Sequence, residues 1–288
     1  MKPTILIAGA TGATGSVAAK ILLEQGFPVR ALVHAEDERS QQINALGADI
    51  VLGDYQDFRS LQRAFKGVQR AYFVYPIRPG IVQATVHFAQ AAQEAKIEHI
   101  VNISQRTSRE DAESESALQH WLAERVFQWS GIPVTHLRPT AFNEWLLYTR
   151  GKIRDGEYGV PFGPTGRFAP VSARDQGQVI AAILAEPDGH QGKTYPLFGP
   201  VELTPPQIAE IVADTLGKQV RYRQITPEEW IQNVFGGEFP FGAQHLHGIV
   251  LAHNAGHMAG TNDIVEKLTG HKPESVAEFV ARNRKAFE

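Results

Sequence analysis

The stretch that decides the fold is TILIAGATGATGSVAAKILL, Thr4 to Leu23. An apolar run ends at Gly9, Gly12 and Gly15, three residues apart, and helical spacing follows. This is strand, tight turn, helix. A dinucleotide needs that arrangement for physical reasons. Gly9 permits the turn, Gly12 lets the backbone approach a pyrophosphate with no Cβ in the way, and Gly15 lets the helix pack close to the strand. Thr11, Ala13 and Thr14 lie between the glycines, where the helix start offers free N–H groups and positive dipole to phosphates. The same spacing would also serve a tight turn without ligand, but strand before and helix after favour a dinucleotide.

Working outward, short β-rich runs recur at 28–34, 49–54, 70–76, 99–104 and 134–139, with helical periodicity between them. Alternation of this kind predicts βαβ units and an α/β, doubly wound parallel sheet, the Rossmann arrangement. After Pro139 the texture changes. Residues 151–170, GKIRDGEYGVPFGPTGRFAP, are rich in Gly and Pro and are expected to be loop or hairpin. Helices are expected over 171–187 and 202–218, the second with Thr204 as N-cap and Pro205 at its first position. Strands at 193–200 and in VRYRQIT, a helix in PEEWIQNVF and a tail helical in two pieces complete the pattern. The expected division is a dinucleotide-binding domain over 1–150 and a smaller C-terminal α+β substrate region over 151–288. Part of that region, about 171–200, returns to the sheet, and the rest is expected to cap its carboxyl edge.

Composition narrows the classes. The 288 residues are 43% hydrophobic and 20% charged, the balance of a globular protein with a core. A formal net charge of -3 gives no electrostatic footprint for nucleic acid. With no cysteine, disulfides and thiolate chemistry are excluded. No leader pattern and no membrane-length apolar run is seen, so a soluble, cytoplasmic monomer or homodimer acting on a small molecule is expected.

The carboxyl ends of the strands line the ligand crevice of such a sheet. Where an acidic residue would select NAD(H), this sequence has His34, with Glu36, Asp37 and Arg39 beyond it and Arg30 inside the strand. A histidine there does not repel a 2′-phosphate, so NADP(H) is favoured over NAD(H); Arg39 reads equally as a solvated helix residue. Asp54 suits either an adenine amino group or the cap of the next helix. Val74, Tyr75 and Pro76 end the fourth strand, and Ser104 and Gln105 the fifth.

GATGATG, LGDYQD, HIVNIS, HLRPTAFNEWL and TNDIVEKLTGHKPESVAEFV together resemble the short-chain dehydrogenase/reductase superfamily, and within it the NmrA-like group, over nearly the whole chain. The resemblance implies a Rossmann domain that binds NADP(H) or NAD(H), and either reduction of quinones, dyes, double bonds or imines or a redox-sensing role without catalysis. Pro139 and Thr140 are then expected to shape the nicotinamide pocket. Gln105, Phe142, Asn143, Tyr148 and His253 are expected at the substrate, with core packing the other reading of Phe142 and Trp145.

Ordinary members of the superfamily use Tyr-xxx-Lys on the helix after the fifth strand. Here that helix, ALQHWLAERVFQW, has no tyrosine; His120 stands at the matching position, with Glu124 four residues on and Arg125 beside it. The NmrA-like reductases it resembles also carry His-xxx-Glu. His120 reads as a proton donor near the nicotinamide or as a packed helix residue, and Glu124 as its orienting partner or a solvated residue. Tyr148 and Lys152 spell YxxxK, but after the sixth strand and across Gly151, which is expected to break their helix. Hydride transfer without a strong acid fits an acceptor needing little protonation, such as a quinone, imine, cationic dye or activated double bond. The alternatives are a non-catalytic nucleotide-binding sensor and an isomerase, lyase or epimerase that retains its nucleotide. His245, His247, His253 and His257 crowd one stretch, but without HExxH and with two glycines in the run; a lid is expected there, with 236–242 as its hinge, and no metal.

Overall fold

A computed structural model describes residues 2–288. In chain order it holds β1 (Ile5–Ala8), α1 (Ala13–Glu24), β2 (Val29–Val33), α2 (Glu38–Ala45), β3 (Asp49–Leu52) and α3 (Phe58–Phe65). Next come β4 (Arg70–Phe73), α4 (Ile81–Glu94), β5 (His99–Ile103), α5 (Glu115–Trp129) and β6 (Val134–Pro139). They are followed by α6 (Trp145–Tyr148), α7 (Arg150–Arg154), β7 (Glu157–Val160), α8 (Ala173–Ala185) and β8 (Thr194–Leu197). The last are α9 (Pro205–Leu216), β9 (Arg221–Gln224), α10 (Pro227–Phe235), α11 (Pro240–Asn254), α12 (Ile264–Thr269), α13 (Val276–Arg282) and α14 (Arg284–Phe287).

Seven strands form one sheet in the order β3-β2-β1-β4-β5-β6-β8. Neighbours from β3 to β6 pair in parallel, so the doubly wound class expected from the alternation is the one that forms. The order reverses between β1 and β4, which both leave the sheet at the same edge; ligands of such sheets bind at this switch point. On one face Leu6, Ala8, Phe73 and Ile100 are buried with Phe65, Phe88 and Phe127. The rings meet edge to face, with Phe73 and Phe88 centroids 4.9 Å apart, an arrangement worth about 0.5–1.5 kcal/mol beyond area burial. On the other face α8 lies against α1. A Cβ on Gly177 would stand 2.5 Å from Val17 Cβ and 2.9 Å from the Thr14 carbonyl, so only glycine permits that approach.

The chain divides into two compact units. The first is the chain up to Gln105 with Gln119–Arg138 and Ala173–Tyr195; the second is Arg106–Leu118, Pro139–Ser172 and Pro196–Glu288. The chain thus passes between the units after Gln105, Leu118, Arg138, Ser172 and Tyr195. Ala173–Tyr195, which holds α8 and the start of β8, belongs to the first unit.

Within the second unit, residues 151–170 are neither loop nor hairpin throughout. They contain most of α7 and all of β7, and β7 pairs in parallel with β9 from Glu157↔Arg221 to Val160↔Gln224. Parallel pairing needs a long crossover, and α9 lies within it. Gly151 is helical; the break between Tyr148 and Lys152 comes at Thr149 instead. Thr204 caps α9 in a capping box with Gln207, as its sequence implied. Gly248 does not interrupt α11: it lies against Ser114, 2.5 Å from where its Cβ would be. The tail forms three helices, α13 and α14 being separated at Asn283. Among the described residues no helix is long and apolar enough to cross a membrane.

Candidate functional site

The glycine loop follows β1 at the switch point. Gly9 has φ 63°, and a Cβ there would also sit 2.7 Å from Val74 Cγ1, so the residues after β1 and β4 are in contact. The Gly12 N–H donates to the Gly9 carbonyl at 2.8 Å and closes the turn. A Cβ on Gly15 would come within 2.3 Å of the Gly9 oxygen, which is backbone and cannot yield. Gly12 is the N-cap of α1 and offers no side chain, and no acidic residue stands in the first turn. The N–H groups of Ala13, Thr14 and Gly15 therefore remain without a capping oxygen, the requirement for holding a phosphate. Thr14 is fixed from behind by Tyr72, Oγ1 to OH at 2.8 Å, both side chains buried; burial pushes the Tyr72 phenol well above its usual range. These residues fit a dinucleotide: its pyrophosphate would lie on the N–H groups of residues 13–15.

The second strand's end differs from expectation in detail. His34 is exposed, its Nδ1 3.7 Å from Asp54 Oδ2. Asp54 does not cap α3. Asp57 does, its carboxylate accepting from the Arg59 N–H at 3.0 Å, while Asp54 accepts from the Gln56 N–H at 2.8 Å in a local turn. Arg30 lies at the amino end of β2 and is spent on Asp49 at 2.8 Å and on the carbonyls of Ala64 and Lys66. Arg39 bonds Asp37, the N-cap of α2, through Nη2 at 2.6 Å. The Ser40 N–H and then Arg39 hold the Asp37 carboxyl below its usual range. Arg39, Thr11, Ser16 and Lys20 line a cavity of about 300 Å³ beside the loop.

Tyr75 is buried and donates to the Pro79 carbonyl at 3.0 Å; the Val74 carbonyl accepts from Tyr55. Pro76 follows these at the same edge. Past β5, the Ser104 N–H donates to Leu137 at 2.7 Å, and the Ser104 side chain bonds Glu124; Gln105 is next in the chain.

His120 is 5% exposed on α5, and its Nδ1 is buried with no hydrogen-bond partner. Burial drives its pKa down to about 4 against the opposing pull of Glu124, so the ring is neutral near pH 7. Glu124 does not hydrogen-bond it. Its carboxylate is held by Arg138, Nε to Oε1 at 2.9 Å and Nη2 to Oε2 at 2.5 Å. Burial raises the Glu124 pKa, but Arg138, His136 and Ser104 outweigh it, and the net value is below the usual carboxylate range. Beside this pair, His136 Nδ1 meets Asn102 Nδ2 at 2.9 Å.

In the second unit, the Pro139 carbonyl accepts from Arg106 N–H at 2.9 Å and Thr140 N–H donates to Leu197 at 3.1 Å. Phe142 bridges to Val171, and Asn143 is buried, its Nδ2 donating to the Glu274 carbonyl at 3.3 Å. Tyr148 and His253 are not alike. Tyr148 is 52% exposed, whereas His253 is fully buried between Phe162 and Phe168. His257 lies beyond the end of α11 against Arg109, so it shares no helix face with His253.

Tyr72, Gly177 and the Arg138–Glu124 pair are the parts that sequence reasoning missed. Only Gly177, a glycine in the middle of a helical run, carried a local signal.

The model of the NmrA-like family matches residues 1–279. An NAD(P)H azoreductase of Xenophilus azovorans is 31% identical over 287 residues, 98% of this chain and 99% of that protein. An NADPH-dependent quinone oxidoreductase of Escherichia coli, solved with NADPH, aligns with TM-score 0.85 and 25% identity over 97% of this chain and 99% of that one. Triphenylmethane reductase of Citrobacter sp., solved with NADP(H), aligns with TM-score 0.83 and 26% identity over 96% and 99%. The fold is that of NAD(P)-binding reductases, and the chain belongs to the NmrA-like family.

Proposed function

We propose that the chain is an NAD(P)H-dependent oxidoreductase that reduces a small aromatic or conjugated acceptor, a quinone, imine, dye or activated double bond, without a Tyr-xxx-Lys pair. The uncapped start of α1 behind Gly9, Gly12 and Gly15 carries the reading, because it leaves a row of N–H groups at the switch point of the sheet. The nicotinamide, when bound, supplies the hydride. His120 stands where the superfamily places its tyrosine. Being neutral near pH 7, it can donate a hydrogen bond from a ring N–H but holds no surplus proton to give. An acceptor that spreads incoming charge over a conjugated system needs no more than this. The three relatives are named for azo, quinone and triphenylmethane compounds, which are of that kind.

NADP(H) is the preferred cofactor in this reading. No carboxylate stands at residue 34, and Arg39 and Lys20 line the cavity beside Thr11. Titration of the protein with NADPH and NADH, followed by multiple turnover against quinones, imines and dyes, tests the proposal. Tight NADPH binding and turnover that falls in His120→Ala are expected. Binding without turnover of any acceptor would sink the reductase reading, and binding of neither nucleotide would sink the cofactor reading as well.

A further inference from the structure

The sequence pair Tyr148 and Lys152 comes together in the second unit, though not as a catalytic dyad. Both line a cavity of about 630 Å³, with Arg150, Arg154, Trp230 and Asn233 among its other walls. The volume is in the range of small-molecule sites. Two features set its chemistry. Tyr148 and Trp230 meet edge to face with centroids 6.5 Å apart, giving an aromatic wall. Arg150, Lys152 and Arg154 supply three positive charges, and among the described residues none has a carboxylate within ion-pair distance. Their fixed contacts are to backbone: Arg150 Nη1 donates to the Leu147 carbonyl at 2.6 Å and Arg154 Nη2 to the Ala286 carbonyl at 3.1 Å. Those bonds hold the two guanidinium groups in place and leave their other N–H groups unspent. Asp155 is the one acid in the lining. The neighbouring Glu229 and Glu157 are both taken by Arg223, at 2.6 and 2.7 Å, which also ties the start of α10, and so Trp230, to β7 and β9. A chain of net charge -3 thus gathers three cations and one acid beside aromatic rings, with Lys152 also acting on Glu229.

We infer that this cavity binds a planar aromatic ring carrying an acidic group, a sulfonate, carboxylate or phosphate, with the ring against Tyr148 and Trp230 and the anion among Arg150, Lys152 and Arg154. Ring and charge recognise one ligand at two points: aromatic contact at one side, charge-assisted hydrogen bonds at the other. Gly151 also lines the cavity, and a Cβ there would meet nothing within 4 Å, so a larger side chain can be placed at the wall without a clash.

The test is calorimetric titration of the full chain, saturated with NADP⁺, with naphthalene-2-sulfonate, 2-naphthylmethanol and sulfate. Saturable binding of the sulfonate with Kd below about 1 mM is expected, at least about tenfold tighter than either the alcohol or sulfate. Lys152→Glu should weaken it about fivefold or more, and Gly151→Leu, which also favours helix, should abolish it. Equal binding of sulfate, or sulfonate binding unchanged in both variants, would overturn the inference. Turnover of an uncharged quinone separates the sources: competitive inhibition by the sulfonate identifies the acceptor's own acidic group, and binding without inhibition identifies a separate small molecule. Loss of quinone turnover alone bears on the reductase reading, because the titration needs no turnover.

Discussion

Arg138 on β6 holds the fully buried Glu124 carboxylate on α5 at two points, 2.9 and 2.5 Å. The pair joins strand to helix at the carboxyl end of the sheet and occupies the acid that could have oriented His120. Arg138→Ala removes the bidentate partner and leaves the buried carboxylate only Ser104 and Arg125 Nη2 at 3.6 Å, and is expected to cost up to about 3 kcal/mol. Arg138→Lys should recover only part, since an ammonium cannot reproduce the fork. Urea unfolding of the three proteins measures this; equal midpoints would show the pair to be inert.

Acid should destabilise the protein well above the carboxylate range. His99, His120 and His136 are each driven by burial from 6.5 to about 4, so between those values the unfolded chain binds protons the folded one refuses. Their contribution is complete above pH 6.5 and is lost as pH falls toward 4, with a slope of roughly 1.4 kcal/mol per pH unit for each group. Glu124, depressed by Arg138, adds a further loss at lower pH, as it protonates. Unfolding midpoints at pH 7.5, 6 and 5 should fall steadily; a flat series would contradict the buried neutral state of these rings.

The same shift predicts a pH–rate profile without a limb near 6.5. With a quinone acceptor, kcat/KM should stay level from pH 6 to 8. His120→Ala should lower it by about ten- to a hundredfold, at the lower end of general acid–base effects because only a hydrogen bond is lost. A limb near pH 6.5 that disappears in His120→Ala would mean that the imidazolium takes part.

Gly12→Ala and Gly15→Ala should fail differently. At residue 12 a Cβ lies 3.1 Å from the Gly9 oxygen, at the exposed start of α1, so the fold should persist while NADPH affinity falls by about tenfold or more. At residue 15 the distance is 2.3 Å to backbone, and the variant should lose thermal stability as well. Comparison of Tm with and without NADPH separates the two; identical behaviour would count against the roles given to these glycines.

Cofactor choice is tested by Arg39→Glu. NADPH affinity should drop about tenfold and NADH affinity hardly at all, because only the 2′-phosphate meets the new charge. A parallel loss for both nucleotides would place Arg39 in the cap of α2 alone, through Asp37.

Eight of the nine strands, all but β7, and the glycine loop were legible because their signals are local: apolar or β-rich runs, the glycine spacing, and the Thr204–Pro205 helix start. What was hidden depends on residues far apart. β7 looked like loop because Gly and Pro dominate its neighbourhood, and its partner β9 begins only at Arg221. Asp54 and Asp57 are equivalent as caps on paper, and the backbone path chooses Asp57. His120 and Glu124 have ideal i,i+4 spacing, yet a bidentate guanidinium from the next strand outcompetes a neutral ring for the carboxylate. Tyr148, expected at the substrate, is exposed and meets Trp230, a neighbour far along the chain that no local pattern shows.

The closeness of α1 and α8, made possible by Gly177 against Val17 and Thr14, bears on how the chain is synthesised. The loop that would hold the nucleotide leaves the ribosome well before the helix that braces it, which arrives only with residues 173–185. Nascent chains shorter than this should expose an apolar face of α1 and bind nucleotide poorly. The glycine loop, made long before α8, thus becomes competent only after it, and chaperone demand should be greatest before α8 emerges.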